Sequence, residues 1–266
     1  MSREPSGETE RRDVRSTPRA SSLRGLWRRH GAVACGLAAA TVALQLAAYA
    51  AIASAVPNRN AVLGCLACAL VWVALAAAPA AASAPTPLGA LLRGGMPADA
   101  SAVTLLVLWI HSPHVTFLAA VKIYGILAAM ALVGVAAARL GRSAPARAVA
   151  ATTAAVTMIA MLSAPFWVGG LTRAGNRETG QTVAAGVVRV NAFYGVTAAV
   201  YEPMRQSWNE MPMMYDHGQI QHHTLPPATW YDPVIVHGLL AGACAATALL
   251  RRRRDDHAVG DAWRHR

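Results

Sequence analysis

The sequence predicts an all-α integral membrane protein, with about six transmembrane helices, an N-terminal interfacial helix and a re-entrant outer loop before the last helix. Three observations lead there. Of 266 residues, 55% are hydrophobic and only 14% charged, where soluble domains carry roughly a quarter charged residues. The charge sits at the ends: residues 1–30 hold eight arginines and four acids, and residues 251–266 hold six arginines and three acids. Between them lie long apolar runs. Gly31–Val56, Asn60–Leu92, Ala148–Thr172 and Pro233–Leu250 carry no Asp, Glu, Lys or Arg, and Ala100–Ala138 carries only Lys122. About 20 apolar residues cross a bilayer, and no polar stripe at helical period gives these runs a wet face.

The formal net charge of +11 does not point to nucleic acid. The arginines flank apolar runs instead of lining one amphipathic face, which is the pattern of basic residues retained on the cytoplasmic side. Cys35, Cys65, Cys68 and Cys244 all fall inside apolar runs, so no framework of extracellular disulfides is implied.

Taken in order, residues 1–22 are polar and rich in Pro, Ser and both charges; they bury too little to offset chain entropy and are expected to be disordered. In "LRGLWRRH" (23–30), Leu23, Leu26 and Trp27 share a helical face opposite Arg24, Arg28 and Arg29. That suits a short helix lying in the headgroup region. The first span is placed at 31–56 and the second at 61–82, with "PNRN" between them as a turn. Residues 83–101 contain Gly94-Gly95, Pro97 and two charges and are expected to be a loop. The run 102–138 exceeds one straight crossing at 1.5 Å per residue, so 102–112 is read as a dipping piece and 115–138 as the third span. "RLGRSAPAR" (139–147) is a turn, and 148–169 the fourth span. Residues 182–201 have spanning length despite Arg189 and Asn191, and 233–250 is the last span, stopped by four arginines at 251–254.

Parity favours counting 182–201. Two basic termini both belong in the cytoplasm, which needs an even number of crossings. On that count Arg139, Arg142 and Arg147 face outward, against the same rule. The expected location is a bacterial-type inner membrane, multi-pass, with loops 83–101 and 171–181 inside and 202–232 outside.

Candidate chemistry is sparse. Lys122, Arg189 and Asn191 are the polar groups within spans and candidates for a substrate path, since an intramembrane ionisable residue is functional by default. "EMPMMYDHGQIQHH" (210–223) offers Met211, Met213, Met214, His217, His222 and His223. Thioether and imidazole are copper ligands, so a copper or iron site in 204–223 is the alternative to a membrane-hugging loop in which Met is a flexible apolar filler. "QIQHH" with "HSPH" (111–114) also loosely resembles desaturase histidine boxes, with too few ligands for two irons. Cys65 and Cys68 have redox-pair spacing but no neighbouring charge in sequence to lower a thiol pKa. Glu202, Glu210, Asp216 and Asp232 are acids expected near the outer surface. No phosphate-cradling loop, zinc-protease motif or nucleophile elbow occurs, so any nucleotide energy comes from another chain.

The layout resembles the membrane subunit of ABC-2 type ABC transporters. The points of likeness are the chain length, the basic amphipathic "LRGLWRRH" before the first span, six spans, and a stretch before the last span (207–233) fit to fold back into the outer face. The resemblance is architectural and rests on no motif. It implies a transport subunit for a lipophilic or amphipathic solute, a separate ATPase contacting 83–101, assembly as a homodimer or hetero-oligomer, and no catalytic residue or cofactor in this chain. Its rivals are the metal protein already described and a structural subunit of a membrane complex.

Overall fold

The structure is a computed structural model and describes residues 23–56, 58–168, 176–201 and 228–264. Among these residues every regular element is helical. They are α1 (Leu23–Ala53), α2 (Asn58–Ala82), α3 (Pro87–His111), α4 (Phe117–Ala138), α5 (Ala144–Leu162), the one-turn α6 (Ala164–Trp167), α7 (Arg177–Val190), α8 (Ala192–Tyr201) and α9 (Tyr231–Arg264). Six of them, α1 to α5 and α9, are long and apolar enough to cross a membrane. The pair α7–α8 passes the same test only as a broken element, bent by 67°.

Helix starts follow capping chemistry. Thr86, Thr116, Ser143 and Asn176 each accept a hydrogen bond from the main-chain N–H three residues on, at 2.8–3.3 Å. Pro87 and Pro145 sit just inside their helices, where a missing N–H costs nothing. Each such cap is worth on the order of 1 kcal/mol.

Three expectations are corrected. Residues 83–101 are not a loop: only 83–86 separate α2 from α3, and Gly94, Gly95 and Pro97 lie inside α3. A membrane helix tolerates such residues when neighbours fill the space and re-satisfy the backbone. Gly94 supplies the close approach, because a Cβ there would stand 2.5 Å from Val135 Cγ2 and 2.9 Å from the Ala77 carbonyl oxygen. Residues 102–112, expected to dip, are the second half of the same helix and its C-cap. Residues 182–201 are not one straight helix, since α7 begins at Arg177 and breaks at Asn191. In addition, "LRGLWRRH" is continuous with the first span, so its backbone forms the first turns of α1. The "HSPH" segment forms the α3–α4 turn: Ser112 N–H closes α3 on the Leu108 carbonyl at 2.8 Å. Trp109 and Phe117 meet edge-on across the turn with centroids 5.5 Å apart.

The core is built around α2 and α4. Helix α4 packs against α2, α3, α5, α8 and α9, and α1 closes over α2 and α3. Lipid tails are as apolar as leucine, so helices associate through close packing of small residues and a few polar bonds. The α2–α4 seam shows this: a Cβ on Gly134 would lie 2.9 Å from the main-chain nitrogen of Ala78, and Ala74, Ala77, Ala78 and Ala81 are fully buried. Two polar bonds fasten α1. Trp72 Nε1 donates to Thr41 Oγ1 at 2.8 Å, and Gln45 Nε2 donates to Ser101 Oγ at 2.7 Å. The apolar groups left exposed, such as Ile235, Leu239 and Leu249 on α9, are of the kind that faces hydrocarbon.

Arg139, Arg142, Arg147 and Arg251 line one cavity. The C-terminal end of α4, the start of α5 and the end of the apolar part of α9 therefore lie together at one end of the bundle. The break between α7 and α8 belongs to the other end, where it meets the last residues of α5 and the first of α9.

Candidate functional site

Asn191 is the joint of the broken pair. Its N–H still caps α7 on the Val187 carbonyl at 3.0 Å. The side-chain Nδ2 donates to the carbonyls of Met161 and Leu162 at 2.8 and 2.9 Å, and Oδ1 accepts from Phe193 N–H at 2.8 Å, starting α8. The side chain, 1% exposed, thus supplies partners for backbone groups that a bend of this size strands inside a bundle. Beyond it, Gly195 lets α8 press on the first turn of α9: a Cβ there would collide with the Pro233 ring and lie 3.2 Å from Ile126 Cδ1 on α4.

The two halves of the pair differ in character. Helix α8 is apolar and contributes Ala192, Val196, Ala199 and Val200 to the main core. Helix α7 buries only Gly180, Ala184 and Val188, a stripe at four-residue spacing. Its opposite face carries Glu178, Gln181, Thr182, Ala185, Gly186 and Arg189, which line an open groove of about 460 Å³. One apolar stripe and one polar face suit a helix at a water–lipid boundary or beside a wet cavity.

Two ionisable groups face the bundle surface. The Lys122 ammonium on α4 lies over the Trp230 ring, 5.5 Å from its centroid, a cation–π contact that offsets part of its desolvation. Trp230 stands just ahead of α9 and stacks edge-on against Tyr231. From the same helix, Tyr124 Oη donates to Asp99 Oδ1 at 2.8 Å, tying α4 to α3. Asp99 is the thirteenth of the 25 residues of α3 and is exposed, so a carboxylate sits at the centre of a candidate span and outside the protein core.

The three path residues expected from the sequence thus have separate surroundings. Asn191 is a buried latch, Arg189 lines the α7 groove, and Lys122 is seated on Trp230. Asp99 was not singled out, because in a presumed loop an aspartate is ordinary. The signal for it was Thr86-Pro87, a capping residue followed by proline at the first helical position. Met211, Met213, Met214, His217, His222 and His223 lie outside the described residues, as do Glu202, Glu210 and Asp216. Among the described residues no group of three His, Cys, Asp or Glu is arranged to hold a metal ion. Cys65 and Cys68 are free thiols inside α2, and Cys65 Sγ donates weakly to the Gln45 carbonyl at 3.4 Å.

Comparison with family models, with curated proteins and with solved structures found no match for this chain.

Proposed function

We propose that the chain is the membrane-spanning subunit of a transporter, crossing six times through α1 to α5 and α9. The pair α7–α8 enters from the outer side and returns there. With both termini cytoplasmic, this path gathers Arg24, Arg28 and Arg29, the trio Arg139, Arg142 and Arg147, and Arg251 to Arg254 on one side, as basic residues are ordinarily retained. The sequence count of six left that trio outside; exchanging 182–201 for α3 as a crossing removes the conflict. Segment 202–227 remains extracytoplasmic, 83–86 stays inside, and 171–181 moves outside.

The observation that carries the transport reading is Asp99. An exposed carboxylate at mid-span costs roughly 2.5–3.5 kcal/mol on insertion scales, more than the ~0.6 kcal/mol that an interhelical polar bond such as its tie to Tyr124 typically returns. The Tyr124 hydroxyl holds the carboxylate, and elsewhere in the bundle stand the Lys122–Trp230 pair and the discontinuous α7–α8 element, features of the kind that mark solute paths in membrane bundles. The fold-back element that the ABC-2 resemblance leads one to expect, 207–233, lies mostly outside the described residues; the bent pair α7–α8 precedes it in the chain. The ATPase contact expected on 83–101 has to move, because only four residues join α2 to α3; the other inward-facing turn, 139–143, takes its place.

The test is purification of the chain from native membranes in mild detergent. An ATP-hydrolysing partner at fixed stoichiometry, with hydrolysis coupled to this chain and uncoupled by Asp99→Asn, is the expected result. A chain that purifies without such a partner, and carries copper or iron lost on replacing His217, His222 and His223, would overturn the reading in favour of a metal protein. A fixed complex lacking any ATPase would make it a structural subunit.

A further inference from the structure

The end of the bundle opposite the broken pair holds a different kind of site. Four arginines converge there, three from the α4–α5 junction and one from α9. Arg139 is the C-cap of α4, Arg142 lies in the following turn, Arg147 is in the first turn of α5, and Arg251 ends the apolar part of α9. With Gly141 and Ala248 they line a cavity of about 170 Å³, and no acidic side chain contributes to its lining among the described residues. Gly141 is part of the construction. A Cβ there would run into the backbone of Ala146 and Arg147, so only glycine lets the turn curl this tightly. The Arg147 Nε is buried and has no hydrogen-bond partner among the described residues.

We propose that this cavity binds a phosphate-bearing anion, supplied in the membrane by the headgroup of an anionic phospholipid. An anion in the cavity would give the buried Arg147 Nε an acceptor and add charge-assisted hydrogen bonds. The guanidinium fork matches phosphate oxygens two at a time. The cavity is too small for a drug-sized solute but of the order of a headgroup. Its depth also fits, because all four arginines flank the ends of apolar helical segments, at the level where headgroups lie. Basic pockets between helix ends are a known physical solution for holding anionic lipid. The site does not depend on the transport reading; it requires only that α4, α5 and α9 end at one membrane surface.

The test uses the full chain in neutral detergent. Native mass spectrometry with added phosphatidylglycerol or phosphatidylcholine reads lipid binding, and titration with inorganic phosphate reads the soluble source. The wild type should retain phosphatidylglycerol in preference to phosphatidylcholine. Arg147→Gln with Arg251→Gln should weaken that binding about tenfold or more, as expected for losing charge-assisted hydrogen bonds. Arg28→Gln with Arg29→Gln, which removes equal charge from another segment, should leave it unchanged. If the glutamine variant does not fold, Arg147→Lys with Arg251→Lys keeps the charge without the fork and should still lose part of the affinity. Phosphate binding with the same arginine dependence would support the site and assign it to a soluble phosphate compound. Equal retention of both lipids with no phosphate binding would overturn the proposal. So would equal losses in the two glutamine variants, which would mean that surface charge alone attracts lipid.

Discussion

Asn191 holds the last turn of α5 through its side-chain amide, which donates to the Leu162 carbonyl at 2.9 Å. The same amide reaches Met161, and its oxygen starts α8, so one side chain fixes both the bend and its attachment to the bundle. Replacing it with alanine leaves three part-buried backbone groups without this partner. Asn191→Ala should cost about 1–3 kcal/mol, seen as a lower unfolding midpoint in detergent and faster proteolysis of the α7–α8 region. A wild-type midpoint and digestion pattern would show that the bend is held by something else.

Two glycines in α4 should respond to alanine with opposite signs. A Cβ on Gly125 meets nothing within 4 Å, whereas one on Gly134 lies 2.9 Å from the Ala78 main-chain nitrogen. Helix propensity favours alanine by roughly 0.5–1 kcal/mol at both positions. Gly125→Ala should therefore raise the midpoint, and Gly134→Ala should lower it as α2 is pushed away, an overpacking cost of about 1–3 kcal/mol. Equal shifts would mean that α2 and α4 are not in the close contact described.

The polar bond between α1 and α3 is unevenly satisfied. Gln45 Nε2 has Ser101 as acceptor, but Gln45 Oε1 is buried with no partner among the described residues. Removing a whole polar group is cheaper than stranding one. Gln45→Leu should be near neutral, within the ~0.6 kcal/mol typical of an interhelical polar bond. Ser101→Ala, which leaves the amide without its acceptor, should be the more damaging change. The reverse ranking in thermal unfolding would contradict this reading of the pair.

Sidedness is open to direct measurement. In a chain whose four native cysteines are replaced by alanine, Arg142→Cys should react with an impermeant thiol reagent only from the cytoplasmic face. Ser54→Cys, in the α1–α2 turn, should react only from outside. Labelling of both from one face would break the six-crossing path.

Asp99 and Tyr124 give a sharper handle on the solute path. Tyr124→Phe removes the hydroxyl that donates to Oδ1 while keeping the ring in place. If the carboxylate serves transport, coupled ATP hydrolysis should fall in Asp99→Asn and fall less in Tyr124→Phe, with folding intact in both. Unchanged coupling in Asp99→Asn would leave the carboxylate without a role.

The membrane class and most of the helices were legible because lipid imposes one dominant rule. A spanning segment must be apolar for about 20 residues and satisfy its own backbone. Gly31–Ala53, Asn60–Ala82, Phe117–Ala138 and Tyr231–Arg251 meet that rule in sequence alone, and the chain's arginines mark their ends. Helix α3 escaped because Gly94-Gly95, Pro97, Arg93 and Asp99 read locally as a loop. What makes them helical is distant: Val135 and Ala77 fill the space over Gly94, and Ser101 is itself held by Gln45 of α1 at 2.7 Å. The bend at Asn191 likewise needs the carbonyls of Met161 and Leu162, some 30 residues earlier. Composition and hydropathy by themselves determined that this chain carries segments fit to cross a membrane and where most of them lie, since burial in hydrocarbon is a property of each segment. Only the tertiary structure decided that α3 is one helix of spanning length, that 182–201 bends, and that Arg251 joins Arg139, Arg142 and Arg147 at one cavity, because each depends on contacts between segments far apart in the chain.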